Sequence, residues 1–358
     1  GDKYQVQFYL NTAKIGQLMD EDKKSDKMLQ SIAKSFKDNS SMLFNMQLNP
    51  QDLTINYYAL ANKELKPIQE VNKSTDFNKY LNYIPKNAIL FVGSADLKDA
   101  GEKFRKGISD LEAQTAERLE KDKTTKINEK MNIEKQFKEF SGMNLFDIFD
   151  NLKEEFVMSV FNTEANPIIP GVAIFMNPKD KDLIVKTFQD FKVDLGKFEG
   201  EKGNRSKKAE GIKKEVVMSF TTKKTYKDVE FNLTNEIEEM TQMGIQPAYC
   251  FIDNTFVFGS NEEVLKAVVD RSKNPSPSFS LAGESSYNKA TSIIGKNNNA
   301  TMFVNLKSVV GLLGAVLGKK SGDMVTNLKK IEAIASSSVN DEDGIKGSFA
   351  IIADIEHI

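Results

Sequence analysis

Apolar and polar residues alternate along several stretches of this chain, and the period of two predicts strands wherever turn residues bound it. The N-terminal part is expected to hold a strand at Val6 to Leu10, helices at Ala13 to Met19 and Asp26 to Phe36, and a hairpin. The hairpin pairs Met42 to Leu48 with Leu53 to Ala61 around Asn49-Pro50-Gln51-Asp52. A second pass opens with a strand at Ala88 to Ser94. A helix follows, with Asp96 or Asp99 as cap and Leu97, Phe104, Ile108, Leu111 and Thr115 on one face. Next come a short helix at Asn144 to Leu152 and strands at Phe156 to Asn162 and Gly171 to Asn177. Helix Asp180 to Val193 leads to strands at Val216 to Thr221, Val229 to Leu233, Pro247 to Ile252 and Thr255 to Gly259, with Asp253-Asn254 as a tight turn. Helix Asn261 to Arg271 follows. The last pass reads strand Thr301 to Leu306, helices Ser308 to Leu317 and Gly322 to Ala333, and strands Ile334 to Val339 and Gly347 to Ile355.

One of these passes is a copy. Phe77 to Val92 aligns with Tyr287 to Val304 at eight identical positions of sixteen once Asn298 and Asn299 are skipped. The fold class expected is therefore α+β. Repeated strand-helix-helix-strand-strand units would form mainly antiparallel sheets with helices packed on one face. Three regions follow: an N-terminal partial repeat over 1–72, a central unit over 73–283, and a C-terminal repeat over 284–358. Charged residues dominate from Glu117 to Lys138, which reads as an exposed helical insertion in the central unit. Pro275 and Pro277 mark a boundary at Asn274 to Ser280.

At 358 residues, 40% hydrophobic and with 24 Phe and 13 Met, the chain has enough apolar material for real cores. A net charge of −2 gives no chain-wide positive field, so nucleic acid is not an expected partner. The Lys and Arg cluster between Lys202 and Lys214 is broken by Gly203 and Gly211 and reads as a solvated loop, part of a polar run over 196–214. No segment is apolar for the length that spans a bilayer. The chain opens on Gly1-Asp2-Lys3, as expected where an export signal has already been removed.

Residue types suited to catalysis are scarce. His357 is the single histidine and stands one residue from the end, where termini fray. Cys250, the single cysteine, lies in an apolar run and reads as a small buried hydrophobe. Nucleophile-histidine catalysis and His/Cys zinc sites are thus disfavoured. Gly314 to Ser321 fails as a phosphate loop, because three residues rather than four separate its glycines and Lys320 takes the Ser/Thr place. Asp341-Glu342-Asp343-Gly344 lacks the closing Glu of a calcium loop, with Ile352 in its place, and reads as a turn. Val309 to Leu317 reads as a core helix whose glycines admit a close neighbour. No catalytic, cofactor-binding or metal-binding residue is assigned, and no cofactor is expected.

Three blocks carry a resemblance. Tyr83 to Ala88 before a strand, Phe251 to Ala267 across a hairpin and helix, and Ser280-Leu281-Ala282 leading to Phe303-Val304-Asn305-Leu306 resemble a family of exported bacterial lipoproteins that contain a domain of unknown function. The resemblance implies a cell-envelope protein held by a lipid anchor that this chain lacks, meeting the membrane only through that anchor. It implies no activity. The expected function is non-catalytic binding or scaffolding, through sheet faces or the charged 117–138 projection, with a protein or apolar ligand as partner. Carriage of lipid or another apolar ligand and carboxylate-dependent hydrolysis are the alternatives.

Overall fold

The computed structural model describes residues 4–11, 14, 39–61, 77–95, 102, 105–106, 109, 135, 138–139, 141–164, 167–194, 217–296, 298–317, 330–341 and 343–353. The chain divides into two compact units. Unit 1 gathers 1–96, 157–170 and 270–358, and unit 2 gathers 97–156 and 171–269.

Unit 1 is built on β1 (Tyr4–Leu10), β2 (Asn39–Asn49), β3 (Asp52–Ala61), β4 (Ala88–Ser94), β12 (Ala300–Asn305), β13 (Ile331–Asp341) and β14 (Gly344–Ala353). Their order across the sheet is β1-β2-β3-β14-β13-β12-β4, each pair antiparallel. Hairpins set much of this order. Asn49 and Asp52 close the first around Pro50-Gln51, with Asn49 Nδ2 donating to Asp52 Oδ1 at 2.9 Å. Asp341 and Gly344 close the second, as the turn reading expects.

The duplicated segments stand side by side here. Each is a helix followed by a strand: α1 (Asn78–Tyr83) before β4, and α6 (Ser285–Ile294) before β12. Phe91 pairs with its own counterpart Phe303, while Leu90 pairs with Val304 and Val92 with Met302. Such a reciprocal register is what a local two-fold axis through the Phe91–Phe303 pair produces. The rings obey it: Phe77 meets Phe91 edge-on at 6.1 Å, Tyr287 meets Phe303 edge-on at 5.2 Å, and Phe91 and Tyr287 join the copies at 5.9 Å. All four side chains are buried.

The copies differ where the alignment needs its gap. Helix α6 buries Tyr287, Ala290, Thr291 and Ile294, a spacing of three and four that lays one face on β13 and β14. It stops at Gly295, whose φ of 86° suits glycine. Asn298 Nδ2 then donates to Gly295 O at 2.8 Å, and Asn299 Oδ1 accepts from Asn340 N at 2.8 Å. The two inserted asparagines are thus buried ties from the helix end into the sheet.

Unit 2 contains β6 (Gly171–Pro178), β7 (Lys192–Asp194), β8 (Val217–Tyr226), β9 (Val229–Thr234), β10 (Ala248–Ile252) and β11 (Thr255–Gly259), in the order β6-β11-β10-β9-β8-β7. The register of these strands is antiparallel throughout. Strand β5 (Leu152–Phe161) runs from unit 2 into unit 1. Helix α2 (Leu145–Asp150) precedes β5, α3 (Lys181–Gln189) joins β6 to β7, α4 (Glu238–Gln242) joins β9 to β10, and α5 (Glu262–Lys273) follows β11. Asp180 caps α3 by accepting from the N–H groups of Asp182 and Leu183 at 2.9 and 3.2 Å. Phe188 of α3 sits 5.0 Å from Phe256, 5.1 Å from Tyr249 and 5.5 Å from Phe220, the centre of an aromatic core. Cys250 is fully buried beside it in sequence, and burial pushes its thiol up to about 12.

The expected α+β class, with helices packed on one face, is corrected. Fourteen strands, antiparallel wherever their register is defined, dominate the described residues, against seven α-helices of which α1, α2 and α4 have six residues or fewer. Helices this short and this few form no layer. The strands also run longer than their apolar cores: Ile331 to Ala333, expected to end a helix, begins β13, and Lys192–Asp194 ends as strand β7. The helices expected at 13–19 and 26–36 and across 322–329 lie outside the described residues, apart from Lys14. So does most of 97–115. In α7 (Leu306–Leu317), nothing among the described residues lies within 4 Å of a Cβ added at Gly311 or Gly314.

Candidate functional site

An open cavity of about 400 Å³ lies in unit 1 above β1, β2, β3, β14 and β13. Its floor follows from strand register, because residues directly opposed across antiparallel strands project from the same face. Gln7 opposes Asn45, Asn45 opposes Asn56, Asn56 opposes Ser348, and Ser348 opposes Ser337. Amides and hydroxyls therefore stand in one row across five strands. Ile294 and Asn298, at the end of α6, wall one side.

Two parallel rows flank it. Two residues along each strand, Tyr9, Leu43, Tyr58, Lys346 and Val339 oppose one another in turn. In the other direction the row is Gln5, Gln47, Thr54, Ala350 and Ala335. The groove thus has an aromatic and aliphatic border on one side and amides with small residues on the other.

Part of the row's hydrogen-bonding capacity is used. Ser348 Oγ donates to Asn56 Oδ1 at 2.7 Å, Ser337 Oγ donates to Ile294 O at 2.7 Å, and Gln5 Nε2 donates to Asn45 Oδ1 at 3.3 Å. Among the described residues the Gln7 side chain, Nδ2 of Asn45 and Nδ2 of Asn56 have no protein partner and face the open space. Charge is sparse. Lys346 is the one lining residue that is ionised at neutral pH; it pairs with Asp341, which raises its pKa through a hydrogen bond. Its ammonium also lies 5.4 Å from the Tyr58 ring centre. Burial raises the Tyr58 hydroxyl, with Asp341 and Asp343 adding to the effect. Apart from Lys346, the described lining side chains are neutral groups.

A smaller cavity of about 110 Å³ sits between the duplicated segments, lined by the equivalent pairs Phe77 and Tyr287, Asn78 and Asn288, and Leu81 and Thr291. It has room for a few waters. Neither cavity is lined by Asp or Glu.

Among the described residues, those weighed for chemistry in the sequence do not come together. Cys250 is sealed in unit 2, while His357, the 202–214 basic cluster and Glu342 lie outside the described residues. Of the charged 117–138 stretch only Lys135 and Lys138 are described, and Lys135 pairs with Glu139 at 3.7 Å. The described residues contain no group of three His, Cys, Asp or Glu placed to hold a metal ion, and no described helix is long and apolar enough to cross a membrane. The groove residues escape a search for reactive side chains because each is a common surface amide. The signal that was present is their period of two along β1, β2 and β3: Gln5 and Gln7, Asn45 and Gln47, Thr54 and Asn56.

The described residues define a protein built mainly of antiparallel sheet. The chain is a member of the family described as protein of unknown function (DUF3352), which matches residues 1–197. That match includes β1, β2 and β3, and so three of the five strands of the groove floor. No curated protein and no solved structure matches the chain.

Proposed function

We propose that this chain is a non-catalytic binding protein of the cell envelope whose ligand occupies the groove over β1, β2, β3, β14 and β13. The row Gln7, Asn45, Asn56, Ser348 and Ser337 carries this reading: it offers unspent donors and acceptors on a rigid sheet, with no general acid or base among them. The envelope assignment is supported by the resemblance of residues 83–88, 251–267 and 280–306 to exported lipoproteins. NMR titration of the full chain with neutral saccharides, short peptides and fatty acids tests the binding reading. Shifts centred on Gln7, Asn45 and Asn56 are expected with one class. Shifts confined to other surfaces, or turnover of chromogenic ester or glycoside substrates, would remove it.

A second reading, carriage of an apolar ligand, is favoured by the opposite sheet face. There Val6, Met46, Ile55 and Phe349 oppose one another, as do Phe8, Phe44 and Tyr57. Phe8 stacks on Phe44 at 4.8 Å yet stays 45% exposed. Extraction of the protein purified from its host, followed by lipid mass spectrometry, tests it: a stoichiometric lipid supports carriage, and an empty extract counts against it.

A further inference from the structure

We propose that the groove binds a linear oligosaccharide of neutral sugars, an inference that rests on the binding reading above and names its ligand class. The strand spacing of about 4.8 Å makes the row from β1 to β13 roughly 19 Å long, enough for a short chain rather than one ring. Along that length two kinds of surface run in parallel. One is the row of amides and hydroxyls, and the other is the Tyr9, Leu43 and Tyr58 border. A pyranose is built the same way, with hydroxyls around its rim and C–H bonds on its faces.

The pairing of groups is specific. A sugar hydroxyl both donates and accepts, and a side-chain amide offers both functions on one planar group, so Gln7, Asn45 and Asn56 can each meet one hydroxyl as donor and another as acceptor. Tyrosine supplies rigid, amphipathic contact area at small entropic cost, and Tyr9 is 62% exposed beside the row. Charge argues the same way. Lys346, the single lining cation among the described residues, is held by Asp341, so a phosphate or a carboxylate-rich chain would find no free counter-charge among them. An extended peptide is matched less well. Peptides that join sheets use backbone hydrogen bonds at an edge strand, whereas the backbone of β2, β3, β14 and β13 is already paired on both sides.

The test is calorimetric and NMR titration of the full chain with a panel of neutral glucan, mannan and chitin oligosaccharides of two to six units. Binding that strengthens with chain length and shifts Gln7, Asn45 and Asn56 amide signals is expected. Gln7→Ala and Asn45→Ala should each weaken it about three- to tenfold. Tyr58→Ala should weaken it by a similar factor, and Phe8→Ala, on the other face, should leave it unchanged. Absence of binding across the panel, or binding indifferent to the three groove substitutions, overturns the inference. If peptides shift the same groove signals while saccharides do not, the ligand class falls and the binding reading stands. If no probe shifts them, both fall.

Discussion

The two ends of one sheet face in unit 1 serve opposite purposes. At the end under α6 and beside the local two-fold, the face carries Ala335, Ala350, Phe303 and Phe91, all fully buried. At the other end, one to three strands beyond β14 and one row along, it carries Gln7, Asn45 and Asn56. Small and aromatic side chains fill the space beneath a helix, and amides appear where the helix ends. The polar row is therefore no defect of the core. Along a single polar row, exposure changes among the described residues: Ser337 is buried and bonded to Ile294 O, while Gln7, four strands away, is open.

The most severe way to break this comparison is to hollow the sealed end. Phe91→Ala removes a fully buried ring that touches Phe77 and Tyr287, and a loss of about 3–5 kcal/mol in urea unfolding is expected. Because Phe303 is its counterpart, Phe303→Ala should cost nearly the same. A difference of more than about 1.5 kcal/mol between the two would show that the sequence duplication has no energetic echo.

The next test asks whether sealing works the same way in unit 2. Burial raises the Cys250 thiol to about 12 from its ordinary 9.0. The folded state therefore holds this proton more tightly than the unfolded chain. Its contribution to stability is complete below pH 9 and is lost as pH rises toward 12, with a slope of up to about 1.4 kcal/mol per pH unit. Comparing wild type with Cys250→Val by denaturation across pH 8 to 11 isolates it, and identical alkaline slopes would refute it. The native thiol should also resist alkylation at pH 8 until the chain unfolds.

Ser337 lies at the border between the two ends. Ser337→Ala leaves the Ile294 carbonyl without its hydroxyl donor at a buried position, so a loss of about 1–2 kcal/mol is expected. Ser337→Cys keeps the volume with a weaker donor and should fall between. Equal stability of all three would mean that the helix end is not tied to the floor of the groove.

Much of this was legible in the residues, and what escaped was long-range. Turn chemistry marked the hairpins at Pro50-Gln51, Asp253-Asn254 and Asp341 to Gly344, since two-residue connections leave antiparallel strands little choice. The Phe77 and Tyr287 copies were visible as identities. Helix content was overstated because apolar spacing does not reveal how far a strand runs past its apolar centre: Ile331 to Ala333, expected to end a helix, open β13. The groove was hidden for a different reason. Its row depends on β3 meeting β14, a pairing of Asn56 with Ser348 across 292 positions. No local pattern encodes which strands become neighbours, so five ordinary polar residues could not be read as one surface.

The smallest expected effect is the most discriminating one. Gln7→Ala and Asn45→Ala remove exposed or half-exposed amides that support no buried group, and each should change unfolding free energy by less than about 0.5 kcal/mol. Asn56→Ala should cost slightly more, because Ser348 Oγ loses the acceptor it now reaches at 2.7 Å. Residues kept for packing lose stability when cut back; residues kept for a ligand do not. If Gln7→Ala and Asn45→Ala instead destabilise the chain by 2 kcal/mol or more, roughly the cost of a core lesion, the amide row belongs to the scaffold, and the contrast between the two ends of the face disappears.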